Sequence, residues 1–444
     1  MKLSKRIGFI AVLILLVLGS VWANGASEKS TGNSVSKDEE VQLMYWSHYG
    51  QSPAFVQAFA DSVNLAAKNL GYTNVTCKAE VIEYSNYEAK YITGFASNNG
   101  PDFFLARPGD WALDGGKNPI ALPLDEKAAK AWDDALSSVF FNDGYFNGVR
   151  YGFPSEGGSI QMLYINTDAM KDAGLDPEND LPETLNELKT LAEKLTIRDS
   201  SGKIIRSGFQ PRYLNGGGNI MGKFLPYFHN MGCRVLSEDL TTSTGYINGD
   251  EAVRAVSWFL DMVEKSSNLE FGSPETAFQS GQTAIINREG WFAKDTLDKA
   301  PNINFVCVPF PSDEFDLAPR SGGASWCNMV SAKTEYKDLC MEIMAELAKP
   351  EYDVTLHESA GYPPVLTATM TMENEYFGSM PYAEAVLVMS DKKPSPTYDA
   401  ISSWSSISNM SGDTLATIFT GEAEVEPALD SLAVRIDQML EQSK

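Results

Sequence analysis

Phe278-Gln-Ser-Gly-Gln-Thr-Ala-Ile-Ile-Asn-Arg-Glu-Gly-Trp-Phe292 contains the end of a helix, a strand and a turn in direct succession. Phe278 ends a helical pattern that Gly281 can break, and residues 283–286 form an apolar, β-branched run typical of a buried strand. Gly290 then turns the chain and places Trp291 at the C-terminal end of that strand. Ligands bind at this edge of open α/β sheets, so the indole is a candidate platform for a small molecule, and a core position is the alternative.

The N-terminal part of the chain alternates strand and helix patterns. Apolar strand-like runs occupy 41–46, 75–82 and 102–105, and helical patterns occupy 52–70 and 87–97. Pro53 at the first turn and an apolar stripe through Phe55, Phe59 and Val63 predict the first of these helices. This alternation predicts an α/β fold with a parallel sheet and right-handed crossovers.

Length and charge restrict the class of protein. A chain of 444 residues is too long for one ordinary core and suits two lobes. The formal net charge is −24 and no basic patch is present. So acidic a surface argues against nucleic acid or anionic lipid as the main partner.

The N-terminus predicts export. Positive residues at Lys2, Lys5 and Arg6 precede an apolar segment over 7–18 and a small-residue cleavage site. We therefore expect a signal peptide over 1–23 and a disordered, polar leader over 24–40. No cysteine lies near the cleavage site, and no later stretch is apolar enough to cross a membrane, so we expect a periplasmic protein that is not a lipoprotein.

Cysteine and histidine patterns predict no metal and no cofactor. The spacings of the five cysteines match no zinc site, and the three histidines are scattered. We expect the cysteines to be small buried apolar residues. One or two disulfides are the alternative, because the protein is exported.

Several short motifs resemble one family in the same order. They are Val41-Gln-Leu-Met-Tyr-Trp46, Asn99-Gly-Pro-Asp-Phe-Phe104, Leu122-Pro-Leu-Asp125, Gly148-Val-Arg-Tyr-Gly-Phe-Pro154, Ser321-Gly-Gly-Ala-Ser-Trp-Cys-Asn328 and Glu358-Ser-Ala-Gly-Tyr-Pro-Pro364. Together with the 278–292 stretch they resemble family 1 extracellular solute-binding proteins. These are the sugar-binding receptors of bacterial ABC importers and are related to maltose-binding protein. The resemblance spans about residues 41 to 440.

The resemblance implies a two-lobe periplasmic binding protein fold of type II, with the ligand cleft between the lobes. Three hinge crossings are expected near residues 150, 305 and 350. The N-terminal lobe would then comprise 41–150 and 305–350, and the C-terminal lobe 151–304 and 351–444. Such a protein works by closing its lobes around the ligand.

The resemblance also implies ligand contacts at loops and strand ends. The candidates are Trp46, His48, Tyr84, Arg107, Asp110, Trp111, Glu156, Gln210, Arg212, Tyr213, Trp291, Ser325, Trp326, Tyr362 and Trp404. Alternatives stay open for several of them. Asp110 lies one position from an ungapped match to an acidic ligand residue. For Glu156 the alternative is a role in the hinge alone, and for 210–213 it is an ordinary surface loop.

The implied function is that of a monomeric periplasmic receptor. It would capture a mono- or oligosaccharide and deliver it to the membrane subunits of an ABC permease. A sugar is expected because flat aromatic rings match the C–H face of a pyranose and polar side chains match its hydroxyls. One alternative is a receptor of the same fold for a non-sugar solute. The other is a secreted carbohydrate-active hydrolase, but no spacing supports a carboxylate pair. Ser325 lacks the Gly-x-Ser-x-Gly elbow, so we expect no catalytic residue.

Overall fold

The computed structural model describes residues 35–49, 52–97, 99–107, 120–155, 160–313, 315–320, 325–398, 401 and 403–442. The strands in these ranges are β1 (Val41–Ser47), β2 (Val75–Val81), β3 (Phe103–Ala106), β4 (Tyr145–Phe146), β5 (Val149–Arg150), β6 (Gly152–Pro154), β7 (Gln161–Asn166), β8 (Ile197–Arg198), β9 (Ile204–Phe209), β10 (Thr283–Glu289), β11 (Phe305–Val308), β12 (Leu317–Ala318), β13 (Cys327–Val330) and β14 (Lys393–Pro394).

The α-helices of the same ranges alternate with these strands along most of the chain. They are α1 (Pro53–Asn69), α2 (Tyr87–Ala96), α3 (Glu126–Ala135), α4 (Thr167–Asp172), α5 (Leu185–Leu195), α6 (Gly217–Asn230), α7 (Asp250–Ser266), α8 (Pro274–Gln279), α9 (Trp291–Lys299), α10 (Lys337–Glu346), α11 (Pro350–Glu358), α12 (Glu375–Ser379), α13 (Ala383–Ser390), α14 (Trp404–Phe419) and α15 (Val425–Gln442).

The first sheet has the strand order β2-β1-β3-β13-β6 and forms the core of the N-terminal lobe. β1 pairs in parallel with both β2 and β3, which confirms the parallel unit predicted from the alternating pattern. α1 covers this sheet through the predicted stripe, and the ring centroids of Phe59 and Tyr45 are 4.1 Å apart. Burial of one such phenylalanine contributes roughly 2 to 3 kcal/mol.

The second sheet has the order β11-β7-β10-β9-β8 and forms the core of the C-terminal lobe. The run at 283–286 lies in its central strand β10, as predicted, and every residue of that strand is buried. α5 packs on this sheet with four buried leucines. It begins with a capping box, in which the Thr184 side chain accepts from the Glu187 amide and the Glu187 carboxylate accepts from the Thr184 amide.

The strand pairing places the first two lobe crossings later in the chain than predicted. β6 belongs to the first sheet, so the first crossing follows Pro154 instead of residue 150. β11 belongs to the second sheet, so the second crossing follows Val308 and not residue 304. The two crossing segments meet at an isolated bridge between Ile160 and Arg320. The local sequence pattern of a short strand does not show to which lobe the strand belongs, so it does not locate the crossing to the residue.

The third crossing also comes later than predicted. α11, placed by prediction in the C-terminal lobe, packs on α1 of the N-terminal lobe, and the Asn69 amide donates to the Tyr352 hydroxyl at 2.8 Å. Leu366 then bridges to Leu136, which follows α3. The chain therefore stays with the N-terminal lobe through Leu366. Pro350, at the predicted boundary, instead opens α11 at its first turn.

The last helices complete the C-terminal lobe. α14 crosses α6 at backbone contact, and a Cβ added to Gly412 would lie 1.7 Å from the carbonyl oxygen of Gly217. The amphipathic α15 buries Leu429, Leu432 and Ile436, as its pattern predicts.

The remaining expectations concern cysteines and membrane spans. All five cysteines lie in the described ranges as buried free thiols. Among the described residues, no helix has both the length and the apolar composition needed to cross a bilayer.

Candidate ligand-binding site

One edge of the first sheet gathers the predicted contacts of the N-terminal lobe. The C-terminal ends of β1 and β3 lie at this edge, and β13 starts there because Cys327 pairs with Ala106. β6 ends at the same edge, since Cys327 also pairs with Pro154. His48, Arg107 and Trp326 directly flank these strand ends, so residues far apart in the chain meet at one place.

The aromatic cluster at this edge consists of His48, Tyr84, Tyr87, Arg107 and Trp326. The His48 ring centroid is 4.1 Å from that of Trp326 and 4.5 Å from that of Tyr87. The Arg107 guanidinium lies over the Trp326 ring, 4.5 Å from its centroid. Trp326 is half-buried and Tyr84 is 57% exposed, so the cluster reaches the protein surface. It offers a flat, polarisable wall to a solute.

His48 lies at the base of this cluster and is neutral. Its side chain is fully buried, and neither ring nitrogen has a hydrogen-bond partner among the residues that the structure describes. Burial and the charge of Arg107 lower the pKa of His48 to about 3. The neutral ring keeps one donor and one acceptor available for a hydrogen bond.

The corresponding edge of the second sheet lies at the C-terminal end of β10. β9 runs parallel to β10, so its C-terminal end lies at the same edge, and β7 starts there because Gln161 pairs with Glu289. Trp291 is the first residue of α9 and is half-buried at this edge, as the strand–turn pattern predicts. Pro154 lies at the first edge and Gln161 at the second, so the chain passes from one edge to the other between these two residues.

The charged cluster lies beside Trp291 and consists of Arg212, Lys223, Glu275, Arg288 and Glu289. Arg288 Nε is 3.0 Å from Glu275 Oε1, and Arg288 Nη1 is 3.3 Å from Glu289 Oε2. Arg212 pairs with Glu275, and Lys223 pairs with Glu289. The Arg288 guanidinium lies over the indole of Trp291, 4.7 Å from its centroid.

The ionisation of the charged cluster is determined by burial and by mutual attraction. Burial alone would raise the pKa of Glu275, but Arg288 and Arg212 outweigh it and hold this pKa at about 2. Arg288 and Lys223 likewise outweigh burial and hold the pKa of Glu289 at about 2. Burial lowers the pKa of Lys223 to about 8, although Glu289 opposes the shift. At pH 7 both carboxylates are ionised and the lysine is mostly charged.

Amide hydrogen bonds fix the position of the charged cluster. Asn287 Nδ2 donates to Gln161 Oε1 at 2.6 Å and to the carbonyl of Lys223 at 3.0 Å. Gln161 Nε2 donates to the carbonyl of Gly222 at 2.6 Å. These bonds tie α6 to β7 and β10 beneath the charges, so the cations are held in place before any ligand arrives.

Residues 361–364 contact both lobes next to the site. The Tyr362 ring packs on Phe55 of α1, with centroids 5.1 Å apart. On the other side, a Cβ added to Gly290 would lie 2.5 Å from Pro363. Tyr362 itself is 4% exposed, so it supports the junction of the lobes and presents little surface to a solute.

Three predicted contacts have buried side chains that are engaged elsewhere in this structure. Trp46 is 5% exposed and packs in the core against α2, where a Cβ on Gly94 would lie 2.5 Å from its ring. Trp404 is 2% exposed and packs on Tyr398, with ring centroids 4.4 Å apart. The amide of Gln210 is committed to Ser207 and Asn268. Aromatic residues at the ends of elements are as suitable for a core as for a cleft.

The other predicted contacts divide into three groups. The two clusters contain His48, Tyr84, Arg107, Trp326 and Arg212, with Trp291 beside the second cluster. Tyr213 is half-buried and donates to the Leu269 carbonyl, and Ser325 is buried at 3% exposure. Asp110, Trp111 and Glu156 lie outside the described residues.

The sequence interpretation missed Tyr87, Lys223, Glu275, Arg288 and Glu289. Arg288 and Glu289 had a visible signal, because charged residues at the end of a buried strand next to a candidate platform are unusual. Lys223 and Glu275 had none, since each lies on a helix and becomes part of the site only through tertiary contacts.

Two α/β lobes joined by crossing segments, with these clusters at the joined sheet edges, define the class of two-lobed binding proteins. A family model described as "bacterial extracellular solute-binding protein" matches residues 54–375. The chain belongs to this family, which confirms the resemblance seen in its motifs.

Relatives and solved structures agree with this assignment. The chain is 26% identical over 402 residues to the sn-glycerol-3-phosphate-binding periplasmic protein UgpB of Pectobacterium atrosepticum, a match that covers 85% of this chain and 88% of the relative. The cyclic α-maltosyl-1,6-maltose binding protein of Arthrobacter globiformis has a TM-score of 0.71 at 19% identity, with 91% and 100% of the two chains covered. UgpB of Mycobacterium tuberculosis in complex with glycerophosphocholine has a TM-score of 0.72 at 16% identity, with 90% and 98% covered.

Proposed function

We propose that this protein is the periplasmic receptor of an ABC importer and captures a sugar or a sugar-like polyhydroxyl solute between its lobes. The observation that carries the proposal is the pair of clusters, one on each lobe, at the two sheet edges that the first crossing joins. Family membership and relatives named for binding maltose-type sugars and glycerol phosphate support this class of solute.

The chemistry of the two clusters suits such a solute. Trp326 and Trp291 are half-buried indoles that can lie against a C–H face. His48 is buried behind Trp326 and supports its ring, 4.1 Å away between centroids. The charged cluster offers the polar rim on the other lobe. Arg107, Tyr84 and Arg212 are further proposed contacts, and the same role is proposed for the predicted residues at 110, 111 and 156.

Closure would occur by rotation about the crossing segments. The buried Arg320 anchors the second crossing to the N-terminal lobe, where its guanidinium pairs with Asp143 and donates to the Val139 carbonyl at 3.2 Å. A solute that touches both clusters binds the closed form better, and this differential affinity shifts the population toward closure. The membrane subunits of the importer would recognise that closed form.

A solute screen followed by calorimetry tests the proposal. We expect one or more mono- or oligosaccharides or polyol derivatives to raise the melting temperature and to bind at one per chain without any product. Product formation would instead support a secreted hydrolase, and exclusive binding of peptides or amino acids would support a non-sugar receptor of the same fold. Small-angle scattering should show a smaller radius of gyration with the solute, and an unchanged radius would contradict hinge closure.

Export is proposed from the N-terminal pattern, through a signal peptide cleaved after residue 23 and without a lipid anchor. Mass spectrometry of the protein from the periplasmic fraction should give an unmodified chain that begins at residue 24. Sedimentation of that chain should give a monomer. Retention in the membrane fraction would contradict this part of the proposal.

A further inference from the structure

The charged cluster carries an excess of positive charge. Arg212, Lys223 and Arg288 face Glu275 and Glu289, so among the described residues of the cluster three cations meet two carboxylates. All five side chains are at most 14% exposed. In a chain of net charge −24, a buried surplus of positive charge is an unexpected local feature.

The polar atoms of this cluster are also incompletely satisfied. Arg212 Nε and Arg288 Nε are buried and make no hydrogen bond to any described residue. Arg288 Nε is close to Glu275 Oε1, but the two are not aligned for a hydrogen bond. The Arg288 side chain is 9% exposed. Buried donors of this kind are costly, so folded proteins nearly always provide them with a partner.

An anionic ligand can supply both the missing acceptor and the missing negative charge, while Glu289 Oε2, which accepts no hydrogen bond from a described residue, would take a hydroxyl donor of the same solute. A carboxylate or phosphate oxygen accepts from the planar fork of an arginine and cancels the surplus charge in the same contact. Trp291 lies directly beside these donors, with its indole under the Arg288 guanidinium. A solute could therefore place an anionic group on the arginines and its carbon skeleton on the indole.

We propose that the charged cluster is an anion subsite, and that the solute of this receptor bears one acidic group, a carboxylate or a phosphate ester, next to the part that lies on Trp291. The inference rests on the proposed function and narrows its substrate class to acidic sugars or polyols. One negative charge balances the cluster. A singly charged carboxylate therefore fits the charge balance better than a phosphate dianion.

Matched solutes test the subsite. Glucose, glucuronate and glucose 6-phosphate form one set, and glycerol, glycerate and glycerol 3-phosphate form another. We expect an acidic member to bind about tenfold or more tightly than its neutral counterpart, equivalent to about 1.4 kcal/mol. The carboxylate and phosphate arms then distinguish the two sources of charge. Equal or tighter binding of the neutral member would overturn the inference while leaving the receptor function intact.

The anion alone provides a test that does not require the natural solute. Inorganic phosphate and acetate are titrated against chloride at constant ionic strength, with the melting temperature and tryptophan fluorescence as readouts. We expect a saturable effect in the wild type and in the control Arg254→Gln, which removes an arginine that is 72% exposed on α7. Arg288→Gln should lose the effect. The same response in Arg288→Gln and wild type, or no saturable response in wild type, would overturn the subsite.

A second variant distinguishes loss of the subsite from misfolding of Arg288→Gln, because it should bind anions more tightly. Glu289→Gln removes one of the two carboxylates and leaves a larger positive surplus, so anions should bind more tightly than to the wild type. Misfolding cannot produce a gain of this kind. Weaker anion binding in folded Glu289→Gln would contradict the charge argument.

Discussion

Trp291 is the side chain from which the largest single loss of ligand affinity is expected. Its indole is half-buried at the end of β10, between the guanidinium of Arg288 and the ring of Phe292. Trp291→Ala should weaken binding of the solute by about 1 to 3 kcal/mol, because aromatic stacking and apolar burial are lost. Isothermal titration calorimetry measures the change.

Trp258→Ala is the matched control for that prediction. Trp258 is a half-buried tryptophan of the same lobe, and its Nε1 donates to Asn186 of α5 at 3.1 Å, away from both clusters. Its replacement should leave affinity unchanged. Equal affinities for Trp291→Ala and wild type would remove Trp291 from the site.

His48 should make folding stability depend on pH. Its pKa falls from 6.5 to about 3 on folding, first through burial and then through Arg107. The unfolded chain therefore binds more protons between these pH values, and the free energy of unfolding decreases as the pH falls from 6.5 toward 3. At pH 5 this loss amounts to about 2 kcal/mol.

Denaturant unfolding of His48→Phe at pH 7 and pH 5 measures that contribution. Phenylalanine keeps a ring among Tyr87 and Trp326 but does not titrate, so the variant should lose about 2 kcal/mol less than wild type between the two pH values. His229, whose pKa burial also lowers to about 3, contributes equally in both proteins and cancels in the comparison. Identical pH dependence of the two proteins would show that His48 is not buried as a neutral ring.

At the scale of elements, the crossing of α6 and α14 determines where Lys223 lies. The two helices meet at Gly217 and Gly412, and the amide of Gly218 donates to Asn409 Oδ1 at 2.8 Å. A side chain at this crossing would force α6 and α14 apart. Because α6 supplies Lys223 to the charged cluster, the packing of two remote helices supports the site.

Gly412→Ala should therefore destabilise the protein by about 3 kcal/mol. The new Cβ would lie 1.7 Å from the Gly217 carbonyl oxygen, so the backbones must separate. Ser406→Ala, at an exposed position of the same helix, should change stability by less than about 0.5 kcal/mol. Chemical denaturation of both variants provides the comparison, and equal stabilities would contradict the close approach.

At the scale of the whole molecule, a buried ion pair ties the second crossing segment to the N-terminal lobe. Arg320 and Asp143 are both 1% exposed, and Arg150 Nη1 donates to the Asp143 carbonyl at 2.9 Å. Because the second crossing contains Arg320, the proposed hinge is anchored to the N-terminal lobe at this pair. Arg320→Met should cost about 3 to 5 kcal/mol, because it leaves the Asp143 carboxylate buried without its cation.

A double-mutant cycle separates this pair from general damage to the hinge. Arg320→Met combined with Asp143→Asn should be less destabilising than the sum of the two single variants, since the stranded charge is gone. Additive losses in urea unfolding would show that the two side chains do not interact.

Local pattern was sufficient for most of the elements and for one part of the site. The run at 283–286 and the turn at Gly290 were predicted from neighbouring residues, and the structure has both; the capping box at Thr184 is equally local. These features depend on interactions within a few residues, such as a capping hydrogen bond or a strand's β-branched composition. Motif order was likewise sufficient for the family, which the match over 54–375 confirms.

Tertiary structure alone decided which side chains meet and which tryptophans are core. Arg212 pairs with Glu275 across 63 residues of sequence, and Lys223 with Glu289 across 66, so no local pattern announces the charged cluster. Trp46 and Trp291 both follow from strand-end patterns, yet one is 5% exposed and the other half-buried. Burial and charge balance are sums over distant neighbours, and only the packed chain brings those neighbours within range.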